Sequence, residues 1–244
     1  MSAGAFPETR HSVLAAVRGG DPQARARAAE ALAAAYWRPV YTYLRLRWRA
    51  APPDAEDLTQ DFFARALERE LFARYDPARA RLRTWLRTCL DRFVLNRRKA
   101  EGRLKRGGGA RLLPLDFAGA EGELLRHDPP DPAADPDALF AREWSRSVFS
   151  LALERVRARC AAAGKTVPFA LFERYDVAGA DDPDRPTYAE LAAAHGLPVT
   201  QVTNHLAAVR RLFRQAVLEL LRELSGSDAE YRAEARELLG VDPP

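Results

Sequence analysis

Pro53-Asp54-Ala55-Glu56-Asp57-Leu58-Thr59-Gln60-Asp61-Phe62-Phe63-Ala64-Arg65-Ala66-Leu67 is the stretch around which the chain is arranged. Pro52 and Pro53 interrupt what precedes it, Asp54 stands where a side chain caps orphan N–H groups, and Glu56 and Asp57 put negative charge in a first turn. These signals predict a helix. At 3.6 residues per turn Leu58, Phe62 and Ala66 share one face with Ala55 near its edge, while Asp54, Asp57 and Asp61 form an acidic row beside it. One side is expected to bury and the other to meet solvent or a partner.

Outward from this helix, charge is strongly segregated, although the net charge of the 244 residues is only +4. Leu82, Trp85, Leu86, Cys89, Leu90, Phe93 and Val94 recur at helical spacing and predict a core face, Trp85 included. Across the same region Arg79, Arg81, Arg83, Arg87, Arg92, Arg97, Arg98, Lys99, Arg103, Lys105, Arg106 and Arg111 stand against Asp91 and Glu101, a net of +10. Nucleic acid is the partner such a density suits, since arginine–phosphate contacts release counterions. Upstream, Asp21-Pro22 starts an Ala-rich helix whose Leu32, Tyr36, Val40, Tyr43 and Leu44 read as core, with Pro39 either splitting or bending it. Val13, Leu14 and Val17 suggest one short helix before it.

Gly107-Gly108-Gly109 lacks the ending of a phosphate loop and reads as a hinge. Residues 112–140 reverse the charge, with seven acids (Asp116, Glu121, Glu123, Asp128, Asp131, Asp135 and Asp137) against Arg126 and five prolines, and read as an extended acidic linker. A second helical region follows, with a long helix from Leu139 towards Gly164 and a shorter one over Phe169–Tyr175. Thr187 and Glu190 form a capping box, Gly196 ends that helix, and another begins within four residues, which is helix-turn-helix spacing. The second of these helices would offer Thr200, Gln201, Thr203, Asn204 and His205 to base edges, with Arg210, Arg211 and Arg214 for phosphates. Ser227 with Glu230 suggests a second box opening a last helix through Leu239, stopped by Gly240.

No run of 18 apolar residues spans a membrane and Met1–Arg10 lacks a signal-peptide core, so a cytoplasmic protein is expected. Cys89 and Cys160 have no ligand spacing and read as packed thiols, with no metal or cofactor implied. His11, His127, His195 and His205 are scattered, and no nucleophile or carboxylate pair converges, which argues against an enzyme.

Taken together, Tyr36-Trp37-Arg38-Pro39-Val40-Tyr41 with Asp54 to Phe63, Leu82-Arg83-Thr84-Trp85-Leu86 with Asn96-Arg97-Arg98, and Thr187 to Leu212 resemble the extracytoplasmic-function (ECF) group of bacterial RNA polymerase sigma factors. The resemblance implies an all-α fold with two helical domains, a region 2-like bundle and a region 4-like helix-turn-helix, joined by an acidic linker. The expected boundaries are 1–106, 107–138 for the linker, 139–224, and 225–244 for an added helix. It implies that Asp54, Glu56, Asp57, Gln60 and Asp61 dock on the polymerase, and that the loop from Tyr75 to Arg83 holds a flipped base. Arg79, Arg81, Arg83, Arg87, Asn96 and Arg97 would serve the minus-ten strand, and Thr200, Gln201, Thr203, Asn204, His205, Arg210 and Arg211 the minus-35 element. The partners implied are bacterial core RNA polymerase, promoter DNA and an anti-sigma factor, with no membrane. Thr203-Asn204-His205 is less basic than in many relatives, the linker is longer and the last helix is extra. The alternative is a helix-turn-helix regulator acting without polymerase, which would need neither Asp57 nor Asp61.

Overall fold

A computed structural model describes residues 13–18, 21–68, 71–101, 115–126, 135–180 and 182–243. Within them all regular structure is helical: α1 (Val13–Arg18), α2 (Pro22–Leu46), α3 (Pro52–Glu68), α4 (Leu82–Glu101), α5 (Phe117–Arg126), α6 (Pro136–Ala162), α7 (Thr166–Phe172), α8 (Tyr188–His195), α9 (Val199–Leu224) and α10 (Asp228–Leu239). A short 3-10 turn, Leu71–Arg74, precedes α4, and α7 runs into a π-helical turn, Glu173–Val177. Two compact units divide the chain, one of residues 1–147 with 221–244 and the other of residues 148–220. The glycine run 107–109 lies outside the described residues.

In the first unit α2 is the central strut. Asp21 caps it by accepting from the Gln23 N–H at 3.0 Å, and Pro22 fits the first turn, where no intrahelical donor is needed. Pro39 is accommodated inside a single continuous helix. The expected stripe is fully buried: Leu32, Val40 and Leu44 have no exposure, and Tyr36 and Tyr43 have almost none. Buried tyrosines require partners for their hydroxyls. Tyr43 donates to Asp91 and Tyr41 to Glu121, at 2.7 Å, and burial pushes the Tyr43 hydroxyl up to about 12.

Two local expectations are corrected. α3 begins at Pro52, two residues before Asp54, so the prolines occupy the opening turn and Asp54 lies inside it rather than capping it. Its buried face centres on Ala55, Thr59, Phe62, Phe63 and Ala66, with Leu58 only half-buried, so Ala55 sits mid-face and not at an edge. Thr59 is tolerated there because its hydroxyl donates to the Ala55 carbonyl at 2.7 Å. In α4, Leu82, Leu86, Leu90 and Val94 are buried while Trp85, Cys89 and Phe93 are half-buried.

The acidic segment is also not wholly extended. Its central part folds as α5, whose Phe117 packs on Trp37 and Tyr41 with ring centroids 5.5 and 5.2 Å away. Glu121 accepts from Arg45 at 2.6 and 2.9 Å as well as from Tyr41, and the Arg45 bonds hold its carboxyl below the usual range. A composition argument averages over 112–140 and misses that two acids, Glu121 and Glu123, find arginines on α2, Arg45 and Arg38.

The second unit is built on aromatic packing of Phe149, Phe172 and Phe213 between α6, α7 and α9. α8 carries the complete capping box: Thr187 Oγ1 accepts from the Glu190 N–H and the Glu190 carboxylate accepts from the Thr187 N–H at 2.7 Å. Gly196, at φ +62°, closes α8 in the left-handed region where a side chain would be strained. Leu197-Pro198 then leads directly into α9.

Glu121→Ala should cost about 1 to 2 kcal/mol, because it leaves a half-buried guanidinium and a buried phenol without their acceptor. Amide exchange over 117–126 is the readout; protection unchanged by the substitution would show that α5 is held by Phe117 and the Glu123–Arg38 pair without Glu121.

Candidate nucleic-acid interface

The outer face of α3 presents Asp54 and Asp57 to solvent, with Glu56 half-buried beside them. The two remaining acidic-face candidates are placed differently. Gln60 is buried at 8% exposure, and Asp61 is half-buried and ion-paired to Arg97 of α4. At about 3.6 residues per turn Asp61 projects between Asp54 and Asp57 around the helix, so what covers it is its place further along the axis, beside Arg97 of α4. The acidic row expected to meet solvent or a partner is thus exposed at Asp54 and Asp57 and half-buried at Asp61.

Within the described part of the basic region four arginines, Arg81, Arg83, Arg87 and Arg97, are ion-paired within the chain. Arg79 and Asn96 are exposed. Arg87 is bidentate to Asp137 of α6, at 2.6 and 3.2 Å, and bonds Asp91 at 2.7 Å. Arg97 is held by Asp61. Trp48 donates its indole N–H to Asp91 at 3.0 Å and has Arg98 stacked over its ring at 4.8 Å.

The loop after Tyr75 and the first turn of α4, which carry Arg81 and Arg83, meet three carboxylates of α10, two of them paired with these arginines. Arg83 is 6% exposed; its Nε is ion-paired to Glu234 at 3.0 Å, its Nη2 donates to both oxygens of Glu237 at 2.7 Å, and its Cζ lies 5.3 Å from the Trp144 ring centroid. Arg81 pairs with Glu237 and stands 3.6 Å from Glu234. Glu230 accepts from the Leu82 N–H at 2.5 Å, the Tyr75 hydroxyl at 2.9 Å and the Gly226 N–H at 2.7 Å. The second capping box is thus only half formed: Ser227 Oγ accepts from the Glu230 N–H, but the Glu230 side chain turns to the loop instead of the cap. Glu230, Glu234 and Glu237 were legible as an i, i+4, i+7 acidic row, the same signal that marks α3, yet nothing in the sequence says which arginines it meets.

Trp85 takes part in this loop from its half-buried place on α4, with its ring centroid 5.4 Å from Tyr75 and 6.4 Å from Phe72. The expected core face and the loop share this residue. Cys89 is half-buried and burial pushes its thiol up to about 11; Cys160 is buried. Among the described residues no group of three metal-ligating side chains assembles.

On α9, Thr200, Gln201, Thr203, Asn204 and Arg211 are exposed and His205 is half-exposed. Arg210 is bidentate to Asp176 at 2.8 and 2.9 Å, which raises the guanidinium above its ordinary value. The leading end of α9 is therefore an exposed polar face, with Arg210, one of the three candidate phosphate-binding arginines, already engaged.

Burial pushes the Glu234 carboxyl up to about 7, against the pull of Arg83 and Arg81 and with Glu237 and Glu230 adding repulsion; Tyr36, raised by its own burial, faces the same cluster. A carboxyl whose folded value is raised contributes stability below its ordinary range and loses it as pH climbs through the folded value. The Tm advantage of Glu234→Gln over wild type should therefore grow from pH 5 to pH 8.5, by the equivalent of about 2 kcal/mol. A difference constant with pH would mean that Glu234 ionises like a solvated acid.

Residues 32–104 match the family described as Sigma-70 region 2. No curated protein and no solved structure matches the chain. The match takes in α2 from its buried stripe onward, all of α3 and all of α4, the helices that carry the acidic face and the arginine-rich face. Over residues 32–104, then, the chain is similar to sigma-70 region 2.

Proposed function

We propose that the chain is a cytoplasmic sigma factor of the extracytoplasmic-function group, with the region 2 domain supplemented by a helix-turn-helix that reads the minus-35 element. The observation that carries this reading is the pairing, on one matched domain, of an acidic face on α3 with an arginine-rich loop and helix at α4. Asp54 and Asp57 are the exposed charges with which α3 would meet basic helices of the polymerase, Glu56 flanking them. Gln60 is buried and Asp61 acts from behind, its ion pair with Arg97 setting the position of α3 on α4.

Arg79, Arg81, Arg83, Arg87, Asn96 and Arg97 line the minus-ten side, where a basic surface beside an aromatic suits an unpaired strand. On α9 the exposed Thr200, Gln201, Thr203 and Asn204, with His205, address base edges, while Arg210 and Arg211 address phosphates. The completed capping box and left-handed Gly196 support that assignment, because they fix where α8 stops and α9 starts. An anti-sigma factor is the regulatory partner this reading expects. Cofactors have no role in it.

Asp54→Lys with Asp57→Lys reverses two solvated charges and should abolish co-elution with sigma-free bacterial core RNA polymerase at moderate salt, with the thermal transition unchanged. Retained co-elution would remove α3 from the interface; failure of the wild type to co-elute would favour a regulator that binds duplex DNA without polymerase. Asn204→Ala with His205→Ala should flatten preference among minus-35 sequences by about 1 to 3 kcal/mol for each base edge that either side chain reads. Equal weakening on every sequence would assign both side chains to the backbone.

A further inference from the structure

The C-terminal helix lies on the loop that the proposed function assigns to DNA. Three of its four carboxylates engage that loop: Glu230 accepts from the Leu82 N–H, Glu234 is ion-paired to the Arg83 Nε, and Glu237 takes the Arg83 Nη2 and Arg81 Nη1, while the Arg83 Nη1 is buried without a hydrogen bond. Main-chain N–H groups and arginine forks are the same donors that bind phosphate oxygens. The approach is close. A Cβ on Gly226 would stand 2.7 Å from the Tyr75 ring and 3.2 Å from Pro77, so only glycine admits the connection from α9 to α10 at this distance from the loop. With Arg83 6% exposed, and both Nε and Nη2 occupied, no strand reaches its guanidinium while α10 is in place.

We propose that α10 is an internal strap that mimics a nucleic-acid backbone, occupying Arg81, Arg83 and the Leu82 amide and withholding them from single-stranded DNA until it is displaced. The inference rests on the reading that this loop binds the minus-ten strand. Binding of strand and strap is mutually exclusive, so the strap lowers apparent affinity by the fraction of chains in which it is open. Carboxylates suit such a role better than apolar contacts, because nucleic acid replaces them like for like and α10 leaves as an already soluble, charged helix. Glu230, Glu234 and Glu237 thus set a threshold for DNA access, and whatever engages α10 releases it.

The test uses the full chain and a fluorescein-labelled, mixed-sequence 12-nucleotide single-stranded DNA at low salt, followed by anisotropy. Ala235 has no exposure, so Ala235→Glu forces a charge into the packed side of α10. An added negative charge on its own weakens DNA binding, so a gain reports release. Ala235→Glu should bind the oligonucleotide at least ten-fold more tightly than wild type, and adding Arg81→Ala with Arg83→Ala should remove that gain. No gain from Ala235→Glu, with the arginine substitutions still weakening binding in that background, would overturn the strap and leave the DNA-binding loop standing. Arginine substitutions without effect in the Ala235→Glu background would overturn the loop assignment and the strap with it. Amide exchange on wild type tests the same point without a substitution: saturating oligonucleotide should speed exchange across 228–239, and exchange that is unchanged or slower would overturn the strap.

Discussion

Burying arginine is the constraint on which the first unit depends. A guanidinium withdrawn from water must be matched by carboxylates or it costs several kcal/mol. Arg83 is matched by Glu234 and Glu237, Arg87 by Asp137 and Asp91, and Arg45 by Glu121. The three sets of acids come from α10, α6 with α4, and α5. Segments distant in sequence are thereby drawn onto α2 and α4 by charge, over a core of leucines and aromatics that supplies most of the cohesion. The burial of Glu234 shows the limit of the device, since its second oxygen accepts no hydrogen bond among the described residues.

Helices with apolar periodicity were legible in the sequence because burial selects one face and leaves a period behind. The stripe of α2, the core positions Leu82, Leu86, Leu90 and Val94 of α4, and the Thr187–Glu190 box with its Gly196 stop all stand where the pattern placed them. Polar placement was less legible. Asp61 lies on the row that begins at the exposed Asp54, but which turn of that row a neighbour covers depends on where α4 and its Arg97 pass. The residues 112–140 read as linker because their average composition is acidic and proline-rich, whereas α5 is specified by Phe117 and Glu121 against partners on α2 some 80 residues earlier. Long-range partners leave no local period.

The segment similar to region 2 therefore pairs its acidic and basic faces with each other and with later segments. Asp61 of the acidic helix and Arg97 of the basic helix join at an ion pair, so α3 and α4 are fixed by charge as well as by Phe62 and Phe93, whose rings lie 5.6 Å apart. Such a joint ties the proposed polymerase-facing and DNA-facing surfaces into one packed element.

The bond from Glu230 to the Leu82 amide spans 148 residues of sequence. A ribosome adding 5 to 20 residues per second needs roughly 7 to 30 s to make that interval. Through this time the loop and the first turn of α4 exist without their acceptor, while α2, α3 and α4 are already available to pack. A nascent chain thus passes through a period in which Arg81 and Arg83 are present and Glu234 and Glu237 are not yet translated.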